Sequence, residues 1–285
     1  MTPEALALAV GLSAAVTLAL ANTMVKASGD ILMSRAAMSG SAAIMCLPLA
    51  FIVPLPDMKT WLMLGLSIPA HAIYQAALIR AMSRGDLSLV FPVMRGSAPL
   101  ITALFAFLSI GEAHSPLAIT GLVIASAATI FFALPENGFT GDIKTKRTAL
   151  FWALITGGCI ALYNVIDAIA VRGAPTALTF IVWLFLLDSI SINTAALWTR
   201  RTAWFEGMKL RWKFGLIAGA STLISFGLTL YGFSIADVTL ISALRETSVV
   251  FAALFGWRML KEGLGGRRMI AAAALAGGLI LFQAG

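Results

Sequence analysis

Four ionisable residues stand deep inside apolar stretches of this sequence: Arg95, Asp188, Arg245 and Glu246. A charge near the centre of a membrane-length apolar segment costs about 3 kcal/mol unless it faces protein or water, so such residues mark candidate sites by default. The two guanidinium groups are planar donors that can hold a carboxylate or another anion through parallel hydrogen bonds. Glu246 and Asp188 can bind an amine, or take up a coupling proton when desolvation favours the neutral acid. The competing use is structural: an interhelical salt bridge, Arg95 with Glu246 or Arg95 with Asp188. Adjacent Arg245 and Glu246 project in different directions from a helix, so they are not expected to neutralise one another.

Uncharged polar residues extend these candidates. Positions 92, 95 and 99 share one helical face, as do 242, 245 and 249, so Pro92, Arg95 and Pro99 form a kinked polar stripe matched by Ser242 and Arg245. Proline frees backbone carbonyls, and irregular backbone is tolerated at membrane depth where it lines a cavity. His71, Tyr74 and Gln75 occur at i, i+3 and i+4 after Pro69 and read as a cavity wall. His71 reads first as a satisfied core residue and only second as a proton relay. Asn22, Tyr163, Asn164 and Tyr231 can supply neutral hydrogen bonds to a substrate, although asparagines in membrane helices often only join helices. Glu112 and Glu262 close helices at the interface, as solvated or paired gate and loop residues.

The elements that must position these groups are membrane helices. Of 285 residues 60% are apolar and only 12% charged, with mean hydropathy +0.93, more apolar surface than a soluble domain of this size can hide. A spanning helix needs about 20 residues, and the chain divides into runs of that length. The predicted spans are 4–25, 31–53, 60–82, 87–109, 116–134, 148–170, 176–198, 213–234, 238–260 and 267–284. Barrel strands would alternate apolar and polar positions, whereas Leu117–Leu134 and Met269–Phe282 are apolar on every face. The longest breaks, Pro135–Arg147 and Thr199–Lys213, are read as polar connections too short to fold alone, which excludes an extramembrane catalytic domain. The first run ends in a small-x-small triplet, Ala19-Leu20-Ala21, but has no basic head and so reads as a span, not a cleaved leader.

Lys and Arg crowd the odd-numbered loops, as at Lys144, Lys146, Arg147, Arg200 and Arg201, whereas the other side holds Lys59 and Arg172. Short basic loops stay in the cytoplasm, so both termini are expected outside a cell membrane. The formal charge of +7 is spread over these loops and forms no contiguous nucleic-acid patch. Cys46 and Cys159 lie in apolar spans without CxxC spacing, so neither a disulfide, a metal site nor a cofactor is expected. HExxH, GxSxG and phosphate-loop motifs are missing, so no enzyme is expected. Small residues in Gly157-Gly-Cys, Gly215–Gly219 and Ala271–Gly278 permit close helix approach, including a homodimer.

An internal repeat organises the spans. Asp86 through Arg95 aligns with Asp237 through Arg245 with one gap, and Arg95 precedes Glu112 by the same 17 residues that separate Arg245 from Glu262. Ala19-Leu-Ala-Asn22 and Ala161-Leu-Tyr-Asn164 match more weakly. A repeat of five helices enters the membrane from opposite sides, so the halves, 1–143 and 144–285, are expected to be inverted. That symmetry suits a carrier with a midplane site, although by itself it does not separate a carrier from a channel.

The segments Val90-Phe-Pro-Val-Met-Arg-Gly-Ser-Ala-Pro99 to Gly111-Glu112, and Leu244-Arg-Glu-Thr-Ser-Val249 to Glu262, each followed by a Gly- and Ala-rich helix, resemble the EamA-type repeat of the drug/metabolite transporter superfamily. The resemblance implies a ten-helix secondary carrier, often an exporter of amino acids or related metabolites. The family pattern often places proline four residues after the arginine. Pro99 satisfies it and Val249 does not, so the second copy is expected to lack that kink. The alternatives on the same fold are a channel and a translocator of lipid-linked substrates.

Overall fold

The computed structural model of the protein describes residues 2–26, 31–82, 84, 87–133, 143–251, 254 and 266–285. Helices form all the secondary structure among the described residues: α1 (Pro3–Lys26), α2 (Ile31–Cys46), α3 (Met58–Met82), α4 (Leu87–Ile110), α5 (Pro116–Ala133), α6 (Ile143–Gly173), α7 (Ala177–Arg200), α8 (Ala203–Ile235), α9 (Val238–Arg245) and α10 (Gly266–Ala284). A 3-10 turn, Leu47–Phe51, with Pro48 near its start, completes the second expected span in two pieces. Eight of these helices are long and apolar enough to cross a membrane, and α5 is apolar but shorter. The chain is therefore a multi-pass membrane protein. Ile44, Leu108 and Ile280 are each 70% exposed, a surface that suits lipid better than water. Of the expected ninth span, 238–260, the first part is α9; most of the remainder lies outside the described residues, as does Glu262.

One expected connection is instead helical. The break Thr199–Lys213 shrinks to two residues, with Arg201 in a left-handed conformation (φ 49°), and α8 runs for 33 residues. At 1.5 Å per residue that is about 50 Å, well beyond a hydrocarbon core of about 30 Å. Mean hydropathy hides the reason. Trp204 and Met208 fall one helical turn apart and pack on Met33, Ala36 and Ala196, so an amphipathic stripe extends the helix past its apolar run.

The chain forms two compact units that do not coincide with its sequence halves. The first contains 1–72 and 167–235, the second 73–166 and 236–285, so α3 and α6 contribute to both. In the first unit α8 lies against α1 and α2. A Cβ at Gly219 would fall 2.8 Å from the Met38 carbonyl oxygen, so only glycine permits this approach. In the second unit α5 and α10 cross equally closely, a Cβ at Gly121 falling 2.5 Å from the Gly278 carbonyl oxygen. The two run antiparallel: Gly278 neighbours Gly121 and Ala125, and Gly285 neighbours Ala118. Gly157 meets Met94 and Ser97 of α4. Of the glycines in the segments open to close helix approach, Gly157, Gly215, Gly219 and Gly278 are thus engaged inside the chain, whereas Gly158 and Gly277 have open space beside them.

Candidate functional site

In the second unit α4, α6 and α9 bring together one buried polar cluster. Arg95 is 8% exposed, and its Nη2 donates to the Arg245 carbonyl oxygen (3.1 Å) and to Ser248 Oγ (3.3 Å) while standing 3.3 Å from Glu246 Oε1. Of the two salt bridges open to Arg95, the one with Glu246 is formed. The Tyr163 side chain is hydrogen-bonded to Arg245, and its ring meets Tyr74 edge-on at 5.3 Å. Asn164 Nδ2 donates to Ser242 Oγ at 3.4 Å. Three polar atoms of this connected set, Arg95 Nε, Glu246 Oε2 and Asn164 Oδ1, are buried with no hydrogen-bond partner among the described residues. Each such atom costs about 1–3 kcal/mol when left unmet. Two arginines against one glutamate also leave an excess positive charge.

The break in α9 makes the cluster. Glu246 N–H bonds to Ala243 O (3.0 Å), Thr247 N–H to Leu244 O (3.1 Å) and Val249 N–H to Glu246 O (3.1 Å), a run of i−3 bonds in place of i−4. The Arg245 carbonyl is thereby released from the helix and is taken by Arg95. The interruption lies in the repeat copy that lacks proline, whereas α4 remains one helix through Pro92 and Pro99. A cation supplied from another helix can stabilise a freed carbonyl without proline. At the start of α9, Glu112 accepts the Val238 N–H through both carboxylate oxygens, at 3.2 and 3.1 Å, and so caps a positive helix end. Glu112 reaches it after a turn at Gly111 (φ 73°), a conformation that favours glycine.

The first unit holds a different cluster. His71 Nε2 lies 2.9 Å from Asp167 Oδ2, and Ser67 Oγ donates to Asp167 Oδ1. Asp167 and Ser67 are fully buried, and Phe226 packs edge-on against the imidazole at 5.6 Å. Asp188 is within electrostatic reach of His71, Asp167 and Arg35, and its Oδ1 is buried without a hydrogen-bond partner among the described residues. Asp167 was not singled out from the sequence, because it falls near the end of the sixth apolar run and reads as a membrane-edge residue. The usable signal was its spacing: it follows Tyr163 and Asn164 by four and three residues, on one helical face.

The other candidates scatter. Gln75 is half-buried on α3, and Tyr231 of the first unit is 39% exposed on α8. Asn22 lies on α1, but its side chain is outside the described residues. Among the described residues no group of His, Cys, Asp and Glu is arranged to hold a metal, and both cysteines are unpaired.

Residues 147–283 match the model of the EamA-like transporter family. No curated protein matches the chain. A solved structure described only as "Crystal structure of protein" superposes with a TM-score of 0.74 over 96% of this chain and 94% of that one. At 19% identity this likeness shows a shared fold alone.

Proposed function

Since residues 147–283 match the model of the EamA-like transporter family, we propose that this chain is a secondary carrier that exports amino acids or related small metabolites by alternating access. The observation that carries the reading is the Arg95–Glu246 cluster at the interrupted helix α9. Broken helices at membrane depth occur where backbone is buried in protein or lines a cavity, and carriers use them to meet charged substrate groups. The three unmet atoms are complementary to a zwitterion. Arg95 Nε can donate to a carboxylate, while Glu246 Oε2 and Asn164 Oδ1 can accept from an ammonium group.

The reading includes ten spans in two inverted halves, 1–143 and 144–285, with both termini outside the cell membrane. The antiparallel run of α5 against α10, the fifth helices of the two halves, supports inversion. A homodimer would have to use faces other than the engaged glycines, such as those around Gly158 and Gly277, which have open space beside them.

The test is counterflow of radiolabelled amino acids and related metabolites in proteoliposomes. Saturable exchange that is abolished by Arg95→Ala supports the reading. Ohmic current would make the protein a channel, and movement of a lipid-linked substrate without metabolite exchange would make it a translocator.

A further inference from the structure

In the first unit the described carboxylates that lie within the helices, away from their ends, are Asp167 and Asp188. Within its membrane-spanning parts α1 carries no charge between Glu4 and Lys26, α2 carries Arg35, and α3 carries His71 beyond Lys59 at its start. α6 contributes Asp167 and, at its end, Arg172, whose Nε is bonded to the Phe233 carbonyl oxygen. α7 contributes Asp188, with Arg200 at its last residue, and the charged residues of α8, Glu206, Lys209, Arg211 and Lys213, all lie in its first part. Among the described residues of these helices the remaining titratable side chains are the Cys46 thiol on α2 and the half-exposed Tyr231 phenol on α8. Two carboxylates, Asp167 and Asp188, therefore meet in this unit, Asp188 with Arg35 and His71 in electrostatic reach, and among the described residues His71 is the side chain bonded to Asp167 that can gain a positive charge near neutral pH.

We propose that the His71–Asp167 pair, with Ser67 and Asp188, is the binding site of a coupling proton. The inference rests on the carrier reading above. Asp167 has both oxygens engaged, one by Ser67 and one by the imidazole, so it presents no open oxygen cage of the kind a sodium ion needs. An imidazole that donates Nε2–H to Asp167 can do so both neutral and charged, so the pair survives in both states. Gain of that proton adds a positive charge beside the Asp167 carboxylate and its loss removes it, in a setting of low dielectric where the difference is large. Asp167 acts as a positioning residue, which orients the ring and stabilises its charged form.

Two measurements test the proposal. The chain has only two histidines, His71 and His114, so ¹⁵N-histidine labelling of His114→Gln isolates the His71 signal. His114 stacks on Phe282 away from either cluster's bonds, and its replacement is expected to leave transport unchanged. His71 is expected to change protonation state between about pH 5 and 8, and Asp167→Asn to move the midpoint. In proteoliposomes loaded with a pH dye and offered a mixture of neutral amino acids, an imposed pH gradient is expected to drive accumulation. Asp167→Asn should reduce that drive by about tenfold, more than it reduces counterflow, with Asp167→Glu restoring part of it.

A His71 signal that does not titrate overturns the proposal, as does gradient-driven accumulation that persists in Asp167→Asn. Counterflow without any response to a pH gradient in the unmodified protein sinks the proton site and leaves the carrier standing. Lack of counterflow in the unmodified protein sinks the carrier reading, and the coupling role with it. If Asp167→Asn fails to fold, the His71 titration in His114→Gln and the unmodified protein's response to the gradient still decide the matter.

Discussion

The two buried clusters differ in how completely their polar atoms are met. In the first unit both oxygens of the central Asp167 are bonded, one to Ser67 and one to His71, and Asp188 Oδ1 is the one atom of the cluster left without a partner among the described residues. In the second, Arg95 Nε, Glu246 Oε2 and Asn164 Oδ1 are left without partners among the described residues, although Arg95 and Glu246 already touch each other. A satisfied buried pair holds its geometry and can change only its proton. An unsatisfied one keeps hydrogen-bonding capacity for something else. On the proposed carrier reading, the cargo belongs to the second unit and its coupling proton to the first.

The largest effect expected is from Arg95→Ala. Removal of the guanidinium leaves Glu246 buried without its ion pair and the Arg245 carbonyl without its donor, a loss of about 3–5 kcal/mol. Thermal unfolding in detergent should shift strongly downward and counterflow should vanish. Preserved exchange in this variant would break the assignment of cargo to the second unit. Glu246→Gln is milder. It keeps a hydrogen-bonding oxygen but discards the charge, so the apparent affinity for an amino acid should fall by about tenfold, the equivalent of about 1.4 kcal/mol, while that for a des-amino analogue changes little. Equal losses for the two ligands would show that Glu246 meets no ammonium group.

Ser67→Ala removes one of the two bonds to Asp167 and should cost about 1 kcal/mol of stability, read as a thermal shift, with counterflow affinity nearly unaltered. If it instead weakened substrate binding as much as Glu246→Gln, the two clusters would not be distinct in role. Asp57 lies outside both clusters and gives the smallest effect. It accepts hydrogen bonds from the Thr60 hydroxyl and the Thr60 N–H at the start of α3, which hold its carboxyl below the ordinary value of 3.8. A depressed carboxyl contributes stability above its unfolded value and loses it as the pH falls through the folded one. Asp57→Asn should therefore flatten the acid limb of a thermal-shift profile below about pH 4 and leave the neutral region unchanged.

Much of the helical framework was legible because a backbone in lipid must satisfy its own hydrogen bonds, so a long apolar run has few alternatives to a helix. Arg95, Arg245 and Glu246 were legible for a related reason: a charge in such a run is too costly to be incidental. The extension of α8 was not, because its first turns are held by packing on Met33 and Ala196 and not by hydropathy. Asp167 was missed because its position in the run gives no measure of its burial.

By itself the sequence determined the apolar lengths, the repeated Arg-to-Glu spacing and the residue types able to carry charge inside a membrane. Only tertiary structure decided which of those groups meet. His71 finds Asp167 across 96 residues, and Arg95 finds the Arg245 carbonyl across 150. It also decided where α9 breaks: at Glu246, where a guanidinium from α4 takes up the carbonyl that the break releases. Hydropathy is a property of each segment alone, whereas the partner of a buried charge depends on what other helices bring within about 3 Å of it.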